Sequence, residues 1–202
     1  MLIWAKRKPY LTMMELYKDV GLSGYKGNKS KLELVRAGFA DEVELPANRR
    51  DRRKKLLQTT PRGNEYPQSL GVRVEAKGRG GMNHLYYQKK IKERYESHGY
   101  TAEIEATIGK KSFNLLAIAR NGRGIGVEIV RSMQNEGLTA EKASTSGVGC
   151  VLFVCETKVI LERLRQMLGA IGSWPDGAAK HGLKLVSDYL GDEWKEMKVN
   201  SL

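Results

Sequence analysis

Ser23-Gly24-Tyr25-Lys26-Gly27-Asn28-Lys29, between the stretch Leu11 to Val20 and the short run Glu42-Val43-Glu44-Leu45, decides how the first third of the chain folds. Leu11 to Val20 has helical apolar spacing. It opens with Thr12 three residues before Glu15, a pairing in which hydroxyl and carboxylate cap free N–H groups reciprocally. Gly21-Leu22-Ser23-Gly24 breaks that helix. A second helix is predicted from about Lys26 to Ala37, stopping at Gly38, since glycine takes a left-handed cap without a Cβ penalty. Glu42 to Leu45 alternates as a strand, Pro46 ends it, and Leu56-Leu57-Gln58-Thr59 resumes extended character, so a hairpin follows the helices. Thr60-Pro61-Arg62-Gly63 then opens a short closing helix with proline at its first position.

Further along, residues 72–80 lose apolar periodicity and gather glycines, which marks a linker between a unit at 1–71 and another at 81–202. Asn83 to Ser97 reads as a helix whose inward stripe is His84, Tyr87, Ile91 and Tyr95. Thr101 to Ile108 alternates, with Glu103 and Glu105 sharing a face. Asn114 to Ala119 is an apolar run, Asn121-Gly122 predicts a type I′ turn, and Ile125 to Val130 alternates again. A helix is expected at Glu141 to Ser146, a fully buried strand at Gly149 to Cys155 and an amphipathic helix at Val159 to Leu168. The tail offers an edge strand at Leu183 to Val186 and a helix at Asp188 to Met197. The order α-β-β-β-α-β-α is that of a sheet flanked by helices. The expected fold is therefore an α+β unit followed by an α/β unit.

Composition narrows the classes. In 202 residues, 41% are hydrophobic, enough to build cores and to exclude a disordered chain. The longest apolar run, Val151 to Cys155, is far shorter than the ~20 residues a membrane helix needs, and no secretory leader is evident. The two cysteines, Cys150 and Cys155, would point to opposite faces of one strand and read as core thiols of a cytoplasmic protein. Thirty-five basic against 23 acidic side chains give +12. The first 80 residues hold 18 of the bases and 9 of the acids. Such a field favours a polyanion, because neutralising phosphates releases condensed counterions, and nucleic acid is the leading expected partner. Six of the seven residues Arg49-Arg50-Asp51-Arg52-Arg53-Lys54-Lys55 at the hairpin tip are basic, which suits phosphate contact or arginine entry into a narrow minor groove.

Helix, turn, helix and basic hairpin, with the run Ser23 to Lys29 and Thr59-Thr60-Pro61-Arg62-Gly63, resembles the winged-helix repressors over about residues 8–71. That resemblance implies that the second helix enters the major groove through Lys26, Asn28, Lys29 and Lys31. It likewise implies that Arg49, Arg50, Arg52, Arg53, Lys54 and Lys55 of the wing touch flanking DNA. The second half, with Gly80-Gly81-Met82-Asn83-His84 at its start and Val127-Glu128-Ile129 on its third strand, resembles the restriction-endonuclease-like superfamily, whose core is a mixed central sheet. It is most similar to domains fused behind winged helices at the C-termini of FtsK/HerA-type ATPases, and to archaeal Holliday-junction resolvases.

Active members of that superfamily carry an Asp, then Glu or Asp, any residue, and Lys. Two carboxylates hold Mg²⁺ beside the scissile phosphate and the lysine serves the attacking water. Here Asn114, Glu128 and Val130 occupy those positions, so the resemblance implies a degenerate catalytic set and no cofactor. Mg²⁺ enters only if Glu103 or Glu105 supplies a carboxylate beside Glu128 and Lys142 supplies the base. His84 matches the family's helix-start motif and is a candidate general base. The reading at this level is a DNA-binding accessory of translocation, mobile-element maintenance or repair, with an ATPase of that type or a second copy of the chain as further partners. The competing readings are an active metal-dependent nuclease and a winged-helix transcription repressor.

Overall fold

The computed structural model describes residues 1–45, 54–74, 81–109, 111–134, 148–170 and 180–191. The chain divides into two compact units, Met1–Tyr86 and Tyr87–Leu202. Of the predicted linker, residues 75–80 lie outside the described residues, and so does the helix expected at Glu141 to Ser146.

The first unit begins with a helix that the sequence pattern did not mark, α1 (Leu2–Arg7). Then come α2 (Met13–Asp19) and α3 (Gly24–Arg36). Thr12 and Glu15 form the complete reciprocal cap. The α3 helix starts two residues before Lys26, because the Ser23 hydroxyl accepts the Lys26 N–H and caps the turn earlier. α2 and α3 approach closely at Gly27, where a Cβ would sit 2.3 Å from the Tyr17 ring. β1 (Ala40–Glu44) and β2 (Lys55–Thr59) pair antiparallel, Ala40 opposite Thr59 and Glu44 opposite Lys55. The closing helix α4 (Pro61–Ser69) is capped by Thr60 with proline in its first turn, as predicted. Leu2, Ala5, Leu11, Leu16, Tyr17, Ala40 and Leu57 form the buried core, so α1 contributes one wall of it.

In the second unit the chain forms α5 (Met82–Ser97), whose first turns reach back across the division, then β3 (Thr101–Ile104), β4 (Thr107–Ile108) and β5 (Lys111–Ser112). β6 (Leu115–Ile118), β7 (Gly124–Val130) and β8 (Cys150–Cys155) follow. The last elements are α6 (Lys158–Gly169), β9 (Lys180–Leu185) and α7 (Val186–Gly191). One five-stranded sheet has the order β3-β6-β7-β8-β9. β3, β6 and β7 run antiparallel, whereas β7, β8 and β9 are parallel, so the sheet is mixed. All six residues of β8 are buried, as expected for a parallel strand covered on both faces.

Three expectations need correction. The strand predicted from Thr101 to Ile108 breaks at Glu105, which takes a left-handed φ of 56°, and a separate two-stranded hairpin, β4 with β5, grows from the break. Alternation alone could not reveal this, since it continues across the break. The turn at Asn121-Gly122 is not type I′, which needs positive φ at both central residues. Only Gly122 is left-handed, at 79°; the Ala119 carbonyl accepts the Gly122 N–H and the Ala119 N–H donates to the Arg123 carbonyl. That is a three-residue loop with a glycine bulge. Finally, His84 is half-buried rather than enclosed in the α5 stripe, whereas Tyr87, Ile91 and Tyr95 are buried as predicted. In the tail, the edge strand spans Lys180–Leu185 and the following helix begins at Val186, with residues after Gly191 outside the described set. Among the described residues no helix is long and apolar enough to cross a membrane.

Phe113, Leu116, Val130, Val151, Phe153 and Cys155 share a core with Leu164 and Leu168 of α6. Its tightest point is Gly126, where a Cβ would lie 2.6 Å from the Phe113 ring. Gly126→Ala should therefore cost about 1–3 kcal/mol of stability by overpacking. A Phe113→Leu change in the same chain should recover part of that loss in urea unfolding.

Candidate functional site

Two sets of side chains carry the chemistry the sequence singled out, one in each unit. In the first, Tyr25, Lys26, Asn28 and Lys29 lie exposed on the first two turns of α3. Among the described residues neither Lys26 nor Lys29 has an acidic partner. Asn28 is different, because its amide oxygen accepts the Tyr17 hydroxyl at 3.0 Å. Lys31 does not belong with them. Its ammonium is bound to Glu42 of β1, which also takes Lys55 of β2 at 2.8 Å. Lys55 lies a further 3.6 Å from Glu44. Two of the expected phosphate-binding cations are thus engaged within the fold, Lys31 joining α3 to β1 and Lys55 joining β2 to β1. Side-chain hydrogen bonds from Lys31 and then Lys55 hold the Glu42 carboxyl below its ordinary range. Of the tip, Lys54 is exposed, while Arg49, Arg50, Arg52 and Arg53 lie outside the described residues.

In the second unit, Asn114 and Glu128 meet where β6 begins beside β7. The Asn114 backbone N–H donates to Glu128 Oε1 at 3.2 Å, and the Asn114 amide oxygen accepts the Ile129 N–H at 2.7 Å. The Asn114 carbonyl takes two more donors, the Glu105 N–H at 3.1 Å and Gln88 Nε2 at 3.2 Å. Gln88 is fully buried on α5, and its Oε1 has no hydrogen-bond partner among the described residues. Sequence reasoning missed Gln88. Its signal was available, a polar residue three positions before Ile91 on the stripe that faces the core.

Glu128 is 8% exposed, and its carboxylate serves as acceptor for the neighbouring strand. Val130, two residues on, is not a cleft residue: it is packed in the core with Phe113, Phe153 and Leu164. A lysine there would have to bury its ammonium. Glu103 and Glu105 are both exposed, and the left-handed backbone at Glu105 interrupts the alternation that would align them. Lys142 lies outside the described residues. Among the described residues no group of three His, Cys, Asp or Glu side chains is arranged to hold a metal ion. Cys150 and Cys155 are buried and form no disulfide, and burial pushes the Cys155 thiol up to about 11, which keeps it protonated and unreactive at neutral pH. No family model matches the chain, and no curated protein or solved structure matches it.

Three outcomes follow from this geometry. Because the folded Glu42 carboxyl titrates below its unfolded range, its contribution is present at neutral pH and lost as pH falls through the folded value. Glu42→Gln should therefore be less stable than the natural chain at pH 7 and show a flatter loss below about pH 4, read from unfolding midpoints across pH. Val130→Lys should lose about 3 kcal/mol or more, as an unpaired buried charge does. Asn114→Asp keeps an oxygen for the Ile129 N–H but sets a second carboxylate beside Glu128. It should cost on the order of 1 kcal/mol at pH 7, recovered on acidification or with Mg²⁺.

Proposed function

We propose that the chain is a duplex-DNA-binding protein in which a winged-helix unit is followed by a restriction-endonuclease-like unit that no longer cleaves. It works as an accessory of DNA translocation, mobile-element maintenance or repair. The observation that carries the DNA reading is the pair of exposed lysines, Lys26 and Lys29, on a helix that follows a capped turn and precedes a basic hairpin, in a chain of charge +12. Cations left without acidic partners are the groups that gain most from a phosphate backbone. Lys31 and Lys55 act in this reading as struts, and the tip arginines supply the remaining phosphate contacts.

The second unit supports the reading through its element order and through the meeting of Asn114, just before β6, with Glu128 in the latter half of β7. Loss of cleavage follows from the chemistry of the positions. An amide replaces one carboxylate, the surviving carboxylate is bonded to backbone, and an apolar core residue replaces the cation that would serve the water. The retained fold then presents a surface for DNA, for a translocating ATPase or for a second copy of the chain.

Binding and cleavage should be measured on duplex, forked and four-way DNA with and without Mg²⁺. The expected result is salt-dependent binding without cleavage. Lys26→Ala with Lys29→Ala should weaken binding on every sequence and lower the slope of log affinity against log salt by about two. Affinity independent of salt and of both lysines would remove the DNA assignment. Metal-dependent cleavage abolished by Glu128→Ala would keep the family and overturn the loss of activity.

A further inference from the structure

We infer that Tyr25 is the residue through which α3 tells one base pair from another, the cations beside it only holding the helix on the phosphates. This rests on the DNA-binding reading and goes beyond it by assigning specificity to one side chain.

The argument runs through what the exposed face of α3 can offer. Tyr25, Asn28, Lys29 and Leu32 follow one another at spacings of three and four and therefore share that face. Asn28 has the amide that reads adenine best, but doing so needs its oxygen and its NH₂ together. The oxygen already accepts the Tyr17 hydroxyl, so one of its two lone pairs is spent and the amide is tied to the fold rather than free to turn toward a base. Lys31 is bound to Glu42. Lys26 and Lys29 are compact charges on flexible stems, which take a phosphate oxygen as readily as a base edge. On the third turn the exposed Glu33 would face phosphates unfavourably, which confines contact to the first two turns. Those are the turns from which a helix lying in the major groove reaches bases.

Tyr25 remains. It is 82% exposed, an aromatic ring left in water on the second residue of the helix, one position before Lys26 and one turn before Lys29. Its ring can cover a thymine methyl and its hydroxyl can give or take a hydrogen bond at a base edge. With two side-chain torsions it loses little freedom on binding. The two flanking cations make duplex DNA the occupant that suits this face.

The test selects the preferred site of the full chain from a pool of randomised duplexes. Affinities for that site and for a scrambled duplex are then measured at two salt concentrations. Tyr25→Ala should reduce the ratio of selected to scrambled affinity about tenfold while leaving the salt slope and the unfolding midpoint unchanged. Lys29→Ala should weaken both duplexes alike and lower the slope by about one. Tyr25→Phe separates the two modes of reading: a ratio kept near the natural value assigns it to the ring, and a ratio as low as that of Tyr25→Ala assigns it to the hydroxyl. The inference is overturned if the natural chain shows no preference among duplexes, or if Tyr25→Ala leaves the ratio unchanged, as it would were the face a protein-docking surface. Absence of any salt-dependent binding by the natural chain would instead bring down the DNA-binding reading itself.

Discussion

The start of β6 is fixed to β7 by Asn114, which uses its N–H, its carbonyl and its side-chain oxygen at once. Buried backbone groups at strand ends must find partners, and each unmade bond costs about 1–3 kcal/mol. Asn114 meets that demand on three sides: Glu128 and Ile129 on β7, Glu105 beyond β3, and Gln88 on α5. The sheet's antiparallel half and its helix are thus joined at one residue. An oxygen spent on a backbone N–H has less to give a cation, and so the same bonds that organise the fold weaken the site's capacity to hold metal. In the proposed reading, structure and lost chemistry are two descriptions of one set of hydrogen bonds.

The first unit divides its charges in a comparable way. Glu42 draws Lys31 and Lys55 together across α3, β1 and β2, and the half-buried setting makes that network more effective than surface pairs in open water. The cost is two cations withdrawn from any ligand. What remains outward, Lys26 and Lys29, stands on the turns nearest the Ser23 cap. A count of basic residues overstates the charge left to meet a polyanion, because formal charge does not say which ammonium groups are already neutralised by neighbours.

Much of the fold was legible because local chemistry and burial agree. The Thr12–Glu15 cap, the Thr60-Pro61 start and the buried run of β8 each follow from a pattern confined to a few residues. The break at Glu105 was not legible. A left-handed glutamate is disfavoured locally and persists here where its N–H bonds Asn114, nine residues away in the chain. The Asn121 turn failed for a related reason: the dipeptide suits type I′, but the bond from the Ala119 N–H to the Arg123 carbonyl leaves three residues to span, which selects the bulged loop. Lys31 was misjudged because its partner sits on a strand eleven residues on, beyond any helical spacing rule. Asn114 and Glu128 were brought together on the strength of the resemblance and the alternation of β7, while Gln88, which completes their surroundings, reaches them only through the packing of α5.

Val130 extends this to energetics. Its side chain lies in the same core as Phe113, whose ring occupies the space left by Gly126. Gly126, Glu128 and Val130 alternate on one face of β7, so a single strand carries a void filled by an aromatic ring, a bonded carboxylate and a buried methyl pair. Replacing the last by a cation would desolvate a charge within an apolar core that offers it no acidic partner among the cluster residues. Retaining this core and placing a cation at position 130 are therefore opposed demands. A relocated cation would have to approach Glu128 from another element, along its remaining 8% of exposed surface.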